Sequence, residues 1–234
     1  MTKENIIEMA YKVDSDDVYT SFISTFTDDY NMLIVSIITA WFLNSNKDVS
    51  QVIMNFVDKR MRPNPVSFIL HYNKEDSDYA IESVFENITE KNFHNLIRII
   101  KSTTTLQNGI KNAYLNYYNS ARHKCVYPHE AFAIIFGHNT NFPNTDCKGT
   151  FFRYNLLFYW FTYKFGIWND VDTSRAILPC NDRIFENAKK YGVTKTKLKS
   201  TITGAVKLTN IARNWFGDND FWKMYEFLNF YRHD

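Results

Sequence analysis

Nowhere along this chain do apolar and polar residues alternate for the length of a strand; apolar residues return instead at intervals of three and four. That period puts them on one face of a helix and leaves no half-buried sheet to build. Breaks are few. Seven glycines and five prolines in 234 residues are too few for a turn-rich β protein, while 20 Phe, 15 Tyr and 5 Trp supply bulk for a helical core. The expected fold class is all-α. With 45% apolar residues the chain can bury a core, and it reads as one globular all-helical domain, 1–234, with possible lobes at about 20–145 and 146–234.

The most apolar helix follows Asp28 and Asp29, where Met32, Leu33, Ile37, Ile38 and Trp41 are too many for a single stripe. It is expected at the centre of a core. Asp48 suits the cap of the next helix, whose Val49, Val52, Ile53, Phe56 and Val57 keep helical spacing until Pro63 and Pro65. Further helices are expected from Asp78 to Ile88, Asn92 to Lys101, Leu106 to Tyr118 and Pro128 to Phe136. A polar loop from Gly137 to Gly149 precedes "TFFRYNLLFYWFTYKFG", a strongly apolar helix ending near Gly166. The last three helices are expected from Asp182 to Tyr191, Lys195 to Phe216 and Asp220 to Tyr231, the first two closed by Gly192 and Gly217.

Net charge is +2 but uneven. Acidic residues crowd the beginning and the stretch from Glu75 to Glu90, whereas eight Lys and Arg from Arg183 to Arg213 face the single Glu186. Such a face suits nucleic acid, because lysines near phosphates release condensed counterions; a solvated helix surface reads the same way. Cys125, Cys147 and Cys180 form no Cys-x-x-Cys pair, so neither a disulfide framework nor a cysteine metal site is expected. His71, His94, His123, His129, His138 and His233 are scattered singly, and no metal or other cofactor is expected. The longest apolar run, Met32 to Leu43, is short for a bilayer, and the start lacks a secretory pattern. A cytoplasmic, monomeric protein with no membrane partner is the expectation.

One segment raises a chemical question. In "SRAILPCNDRIFENAKKYGV" a buried-looking run ends at Pro179, and Asn181 and Asp182 then stand where a helix begins. Both types are common N-caps. A carboxylate there also sits at the positive end of a helix, which favours its ionised form.

The residues "CKGTFFRYNLLFYWFTYKFGIW" followed by "AILPCNDRIF" resemble an uncharacterised bacterial family. Its hallmark is a Lys-Arg-x-Asn-x-Phe-Leu-Arg-Trp helix, a Gly-Ile-Trp and then Ile-Ile-Pro-Leu-Asp-Thr-His, and it is similar in turn to the helix-hairpin-helix DNA glycosylases of endonuclease III type. Anchored on Trp160, the family's arginine falls on Arg153 and its asparagine on Asn155; Gly166, Ile167 and Trp168 reproduce Gly-Ile-Trp. Similarity extends to "DDYNMLIVSIITAWF" and "DNDFWKMYEFL". The departures are specific. The family's aspartate falls on Asn181 with the carboxylate one position later at Asp182, the glycosylases' lysine nucleophile falls on Phe152, and only Gly149 remains of the hairpin's Gly-x-Gly.

The resemblance implies a two-lobed helical bundle with a central cleft and a partner that is DNA, at the nucleoid. It implies base flipping and excision, with Asp182 as the catalytic carboxylate, Asn181 holding water or phosphate, and Lys148 as the lysine a shifted alignment would offer. Without a lysine in the pocket no Schiff base forms, so a monofunctional hydrolase is expected. Arg153, Asn155, Arg183, Lys195, Lys197 and Lys199 are the expected DNA contacts, Arg153 being equally suited to burial. Tyr159, Trp160, Tyr163 and Trp168 are the expected base pocket, about half of them plain core by their type. The displaced carboxylate points to a modified base, such as a bulky one of phage DNA, and hence to anti-phage defence. The rival reading is a DNA-binding protein that keeps the shape without the chemistry.

Overall fold

The computed structural model describes residues 1–43, 50–73, 90–105, 109–138, 140 and 142–232. They hold twelve α-helices and no strand. In chain order these are α1 (Lys3–Lys12), α2 (Val18–Ile23), α3 (Asp29–Phe42), α4 (Ser50–Phe56), α5 (Pro65–His71), α6 (Glu90–Thr105), α7 (Gly109–Tyr118), α8 (Pro128–Phe136), α9 (Phe152–Tyr159), α10 (Asp182–Lys190), α11 (Ile202–Asp220) and α12 (Trp222–Phe230). The all-α expectation holds for the described residues. The expected helix from Asp78 to Ile88, the expected cap Asp48, Val49, the opening residues of the Leu106 helix and His233 lie outside them.

Two compact units divide the chain: Val18–Asp146, and Met1–Asp17 together with Cys147–Asp234. In the first, α3 is buried from Leu33 through Phe42, as its excess of apolar residues predicts. Asp28 starts it by accepting from the Asn31 amide at 2.9 Å. Trp41 packs on Phe93 of α6 with ring centroids 5.5 Å apart, and its indole N–H donates to the Thr140 carbonyl. Beyond α4 the helix loosens into a π turn, Val57–Met61. Pro65, expected as a stop, is also a start: Asn64 accepts from the Ser67 amide at 2.9 Å and opens α5. Glu130 closes the start of α8 by accepting from the Tyr127 amide at 2.9 Å, and Phe132 meets Tyr114 of α7 at 5.1 Å.

In the second unit α12 is the central element, buried at Trp222 and from Met224 to Leu228, and α1, α10 and α11 pack on it. The first seventeen residues belong here. Lys164 reaches back to Asp16 at 2.5 Å and Ser15 at 2.9 Å, and the Tyr11 hydroxyl donates to Asp220 at 2.9 Å. The apolar helix before Gly166 forms as expected but in two parts, α9 and a π turn, Trp160–Lys164. Gly166 follows at φ 65°, a conformation that strains any residue bearing a Cβ. The helix placed from Lys195 to Phe216 differs at both ends: it begins only at Ile202, because Thr201 caps it by accepting from the Gly204 amide at 3.3 Å, and it resumes after a non-helical Gly217 (φ 82°) to reach Asp220. Residues 194–201 form an irregular segment instead. Its Lys199 carbonyl sits so close to Gly204 that a Cβ there would collide with it.

Candidate functional site

The sequence cannot say whether the segment around Thr150 and the segment around Asn181 meet. They do. The Thr150 hydroxyl donates to the Cys180 carbonyl at 2.5 Å, and Asn155, one turn into α9, donates through Nδ2 to the Thr150 carbonyl at 3.0 Å. Leu178 is held from the other side, its amide donating at 3.0 Å to Thr209 of α11. These bonds run the stretch from Lys148 to Arg153 beside the stretch from Leu178 to Asp182. Lys148 is exposed on that link.

At the start of α10 the two polar residues divide the work. Asn181 is the N-cap, its Oδ1 accepting from the Ile184 amide at 3.1 Å. Asp182, in the first turn, leaves its carboxylate exposed and accepts a hydrogen bond from Ser200 of the irregular segment. Lys197 from the same segment pairs with Glu186 one turn later, at 2.9 Å. That hydrogen bond holds the Lys197 pKa above its ordinary value, with a smaller contribution from Asp182. Lys195 and Lys199 are exposed beside them. The result is a polar surface of alternating charge, with one carboxylate oriented by a hydroxyl and two lysines facing solvent.

Other expected contacts are placed differently. Arg153 is 7% exposed, so it is no surface ligand for phosphate; burial pulls its pKa down to about 10, and it remains a cation at neutral pH. Asn155 is 1% exposed and serves the Thr150 link, with its Oδ1 buried and unpartnered. Arg183 is exposed but donates to the Asn229 carbonyl at 2.9 Å, closing the end of α12. Of the four rings expected in a base pocket, three are core: Tyr159 and Trp160 are 2% exposed and Trp168 is 1% exposed, its ring tilted against Phe161 at 4.7 Å. Only Tyr163 is half-buried. Bulk explains this, since large rings in an apolar helix gain most by full burial.

The sequence reading missed a second polar group of this unit. Glu226, in the middle of α12, is 1% exposed; it accepts from the Tyr159 hydroxyl at 2.8 Å and from Lys223 at 2.7 Å. Burial, and then the Glu226 charge, raise the Tyr159 pKa well above the ordinary tyrosine value. Lys223 is held above the ordinary lysine value: burial acts to lower it, but the hydrogen bond and charge of Glu226 together win. The signal was present. Glu226 is a lone carboxylate flanked by Met224, Tyr225, Phe227 and Leu228, with Lys223 three residues back. Ser200 was missed because it carries no pattern until the segment folds onto α10.

Among the described residues no three His, Cys, Asp or Glu are placed to hold a metal ion, and no helix is long and apolar enough to cross a membrane. The family model described as "Protein of unknown function (DUF2400)" matches residues 20–223, and the chain belongs to that family. No curated protein matches the chain, and no solved structure does.

Proposed function

We propose that this member of the DUF2400 family is a monofunctional DNA glycosylase that hydrolyses the bond between a flipped-out, modified base and its sugar. The observation that supports it best is the Thr150–Cys180 tie, which brings together the two segments whose residues resemble the glycosylase motifs. It sets an exposed carboxylate, Asp182, at the start of a helix, next to lysines able to take phosphates. In the proposed step the bond from C1′ to the base nitrogen breaks, and its electron pair leaves on the base. Asp182 steadies the positive charge that develops on the sugar and orients water onto C1′; the proton that water sheds ends on the departing base. The products are a free base and an abasic site. Lys195 and Lys199 grip the backbone, and Lys197 joins them when Glu186 yields it. Flipping costs a few kcal/mol, repaid most readily for a base that already stacks or pairs badly.

A second reading rests on Asp182 itself: its exposure and its bond to Ser200 equally suit a surface residue of a DNA-binding protein without chemistry. One experiment separates the two. Oligonucleotides with damaged bases and phage DNAs with hypermodified bases are incubated with the protein and assayed for abasic sites and free base. The expected result is release from a modified base, no covalent adduct with Lys148 on borohydride reduction, and release abolished in Asp182→Asn while DNA binding persists. Salt-sensitive DNA binding with no base released from any substrate leaves the second reading standing and removes the first.

A further inference from the structure

A cavity of about 490 Å³ lies along α6 in the Val18–Asp146 unit, far in sequence from the residues of the candidate site at α10. Its lining is Tyr72, Lys91, His94, Asn95, Ile97, Arg98 and Lys101. The positive and titratable side chains recur at positions 91, 94, 98 and 101, a spacing that sets them on one face of the helix over about 15 Å. The opposite face is buried at Phe93, Leu96 and Ile100, so the row is anchored and cannot rotate away. Among the described residues no carboxylate lines the cavity. The acidic residues at 75, 76, 78, 82 and 86 lie outside the described residues.

Tyr72 adds direction. Its ring is wedged between Phe68, at 5.7 Å, and Phe93, at 6.1 Å, and its hydroxyl is hydrogen-bonded to Nδ1 of His94. When the tyrosine donates in that bond, the neutral imidazole carries its proton on Nε2, which makes His94 a second kind of donor in the row. Lys91 and Arg98 are exposed and in no ion pair with other described residues. Cations in register, an imidazole donor, an amide from Asn95 and an aromatic edge are the groups that recognise oxyanions attached to a flat ring.

We infer that the α6 cavity is a binding site for a phosphate-bearing nucleotide, held through its phosphates by Lys91 and Arg98. The volume is that of a small-ligand pocket, and the length of the row also matches a few successive phosphates of one strand. The shared chemistry is the nucleotide phosphate, and free nucleotide and strand are its two sources. The inference does not rest on base excision.

The test is titration of the full chain with ADP and, separately, with a short oligothymidylate, each at low and high salt. The variants are Lys91→Glu and Arg98→Glu, with Lys59→Glu, an exposed lysine of the Val57–Met61 turn, as the charge control; far-UV circular dichroism verifies that each folds. The expected result is binding of at least one probe that weakens with salt and falls about tenfold or more in both α6 variants but not in the control. Binding of ADP identifies a free-nucleotide site, and binding of the oligonucleotide alone identifies a strand site. Two results overturn the inference: neither probe binding the wild type, or Lys91→Glu and Arg98→Glu costing no more than Lys59→Glu.

Discussion

Asp182 and Glu226 are carboxylates of one unit, each accepting a hydrogen bond from a hydroxyl, and they are built for opposite ends. Asp182 stands exposed at a helix start with Ser200 as its partner. Glu226 is sealed inside α12 between Tyr159 and Lys223. A buried ion pair must satisfy every lone pair or lose stability, so its members are committed to one another. An exposed carboxylate on a helix dipole costs the fold almost nothing and keeps its oxygens available. The difference teaches that in this unit the polar groups left available lie at the surface near α10, and the committed ones in the tyrosine-lined core around α12.

Four measurements would break or sharpen that contrast. Glu226→Ala should cost roughly 3 kcal/mol in urea unfolding, since it leaves the buried Tyr159 hydroxyl without its acceptor and half-buried Lys223 without its counter-charge; a loss below about 1 kcal/mol would show that the cluster is hydrated. Alkaline pH should act next. Burial raises the pKa of Tyr154, Tyr159 and Tyr225 above the ordinary value, so the folded state holds these protons more tightly than the unfolded one. Stability is then full below about pH 10 and falls as pH rises past it, by up to about 1.4 kcal/mol per pH unit for each ring. Thermal midpoints that stay level from pH 9 to about 11 would contradict this. Asn181→Ala should cost about 1 kcal/mol through the lost cap of α10, read by the same denaturation. Smallest are the exposed partners: Asp182→Asn and Lys197→Ala should each leave stability within about 0.5 kcal/mol. A large effect of Asp182→Asn on folding would place it with Glu226 and count against a chemical role.

Much of the architecture was legible in the sequence. The spacing of Met32, Ile37, Ile38 and Trp41 identified a central helix, and Pro128 marked the first residue of α8. Helices α1, α2 and α5 were not legible. They are short or polar, and α1 is held by packing on α12 rather than by a strong apolar stripe of its own. The start of α11 was misplaced because lysines and threonines at 194–200 have acceptable helix propensity, while the tight approach of the Lys199 carbonyl to Gly204 is a tertiary fact. For the candidate site, Asn181 and Asp182 at the start of α10 were read correctly from residue type. The burial of Arg153 and Asn155, and the commitment of Arg183 to the end of α12, depend on neighbours far along the chain that no local pattern reports.

The joining of Met1–Asp17 to Cys147–Asp234 has a bearing on how the protein is made. As the chain leaves the ribosome, Val18–Asp146 emerges with all of its own contacts available and can fold at once. The opening helix has no such option: Tyr11 waits for Asp220, and Ser15 and Asp16 wait for Lys164, until the final segment is synthesised. A nascent chain stalled at the point where Asp146 has just cleared the ribosome should therefore protect its middle from protease while its first residues are still cut.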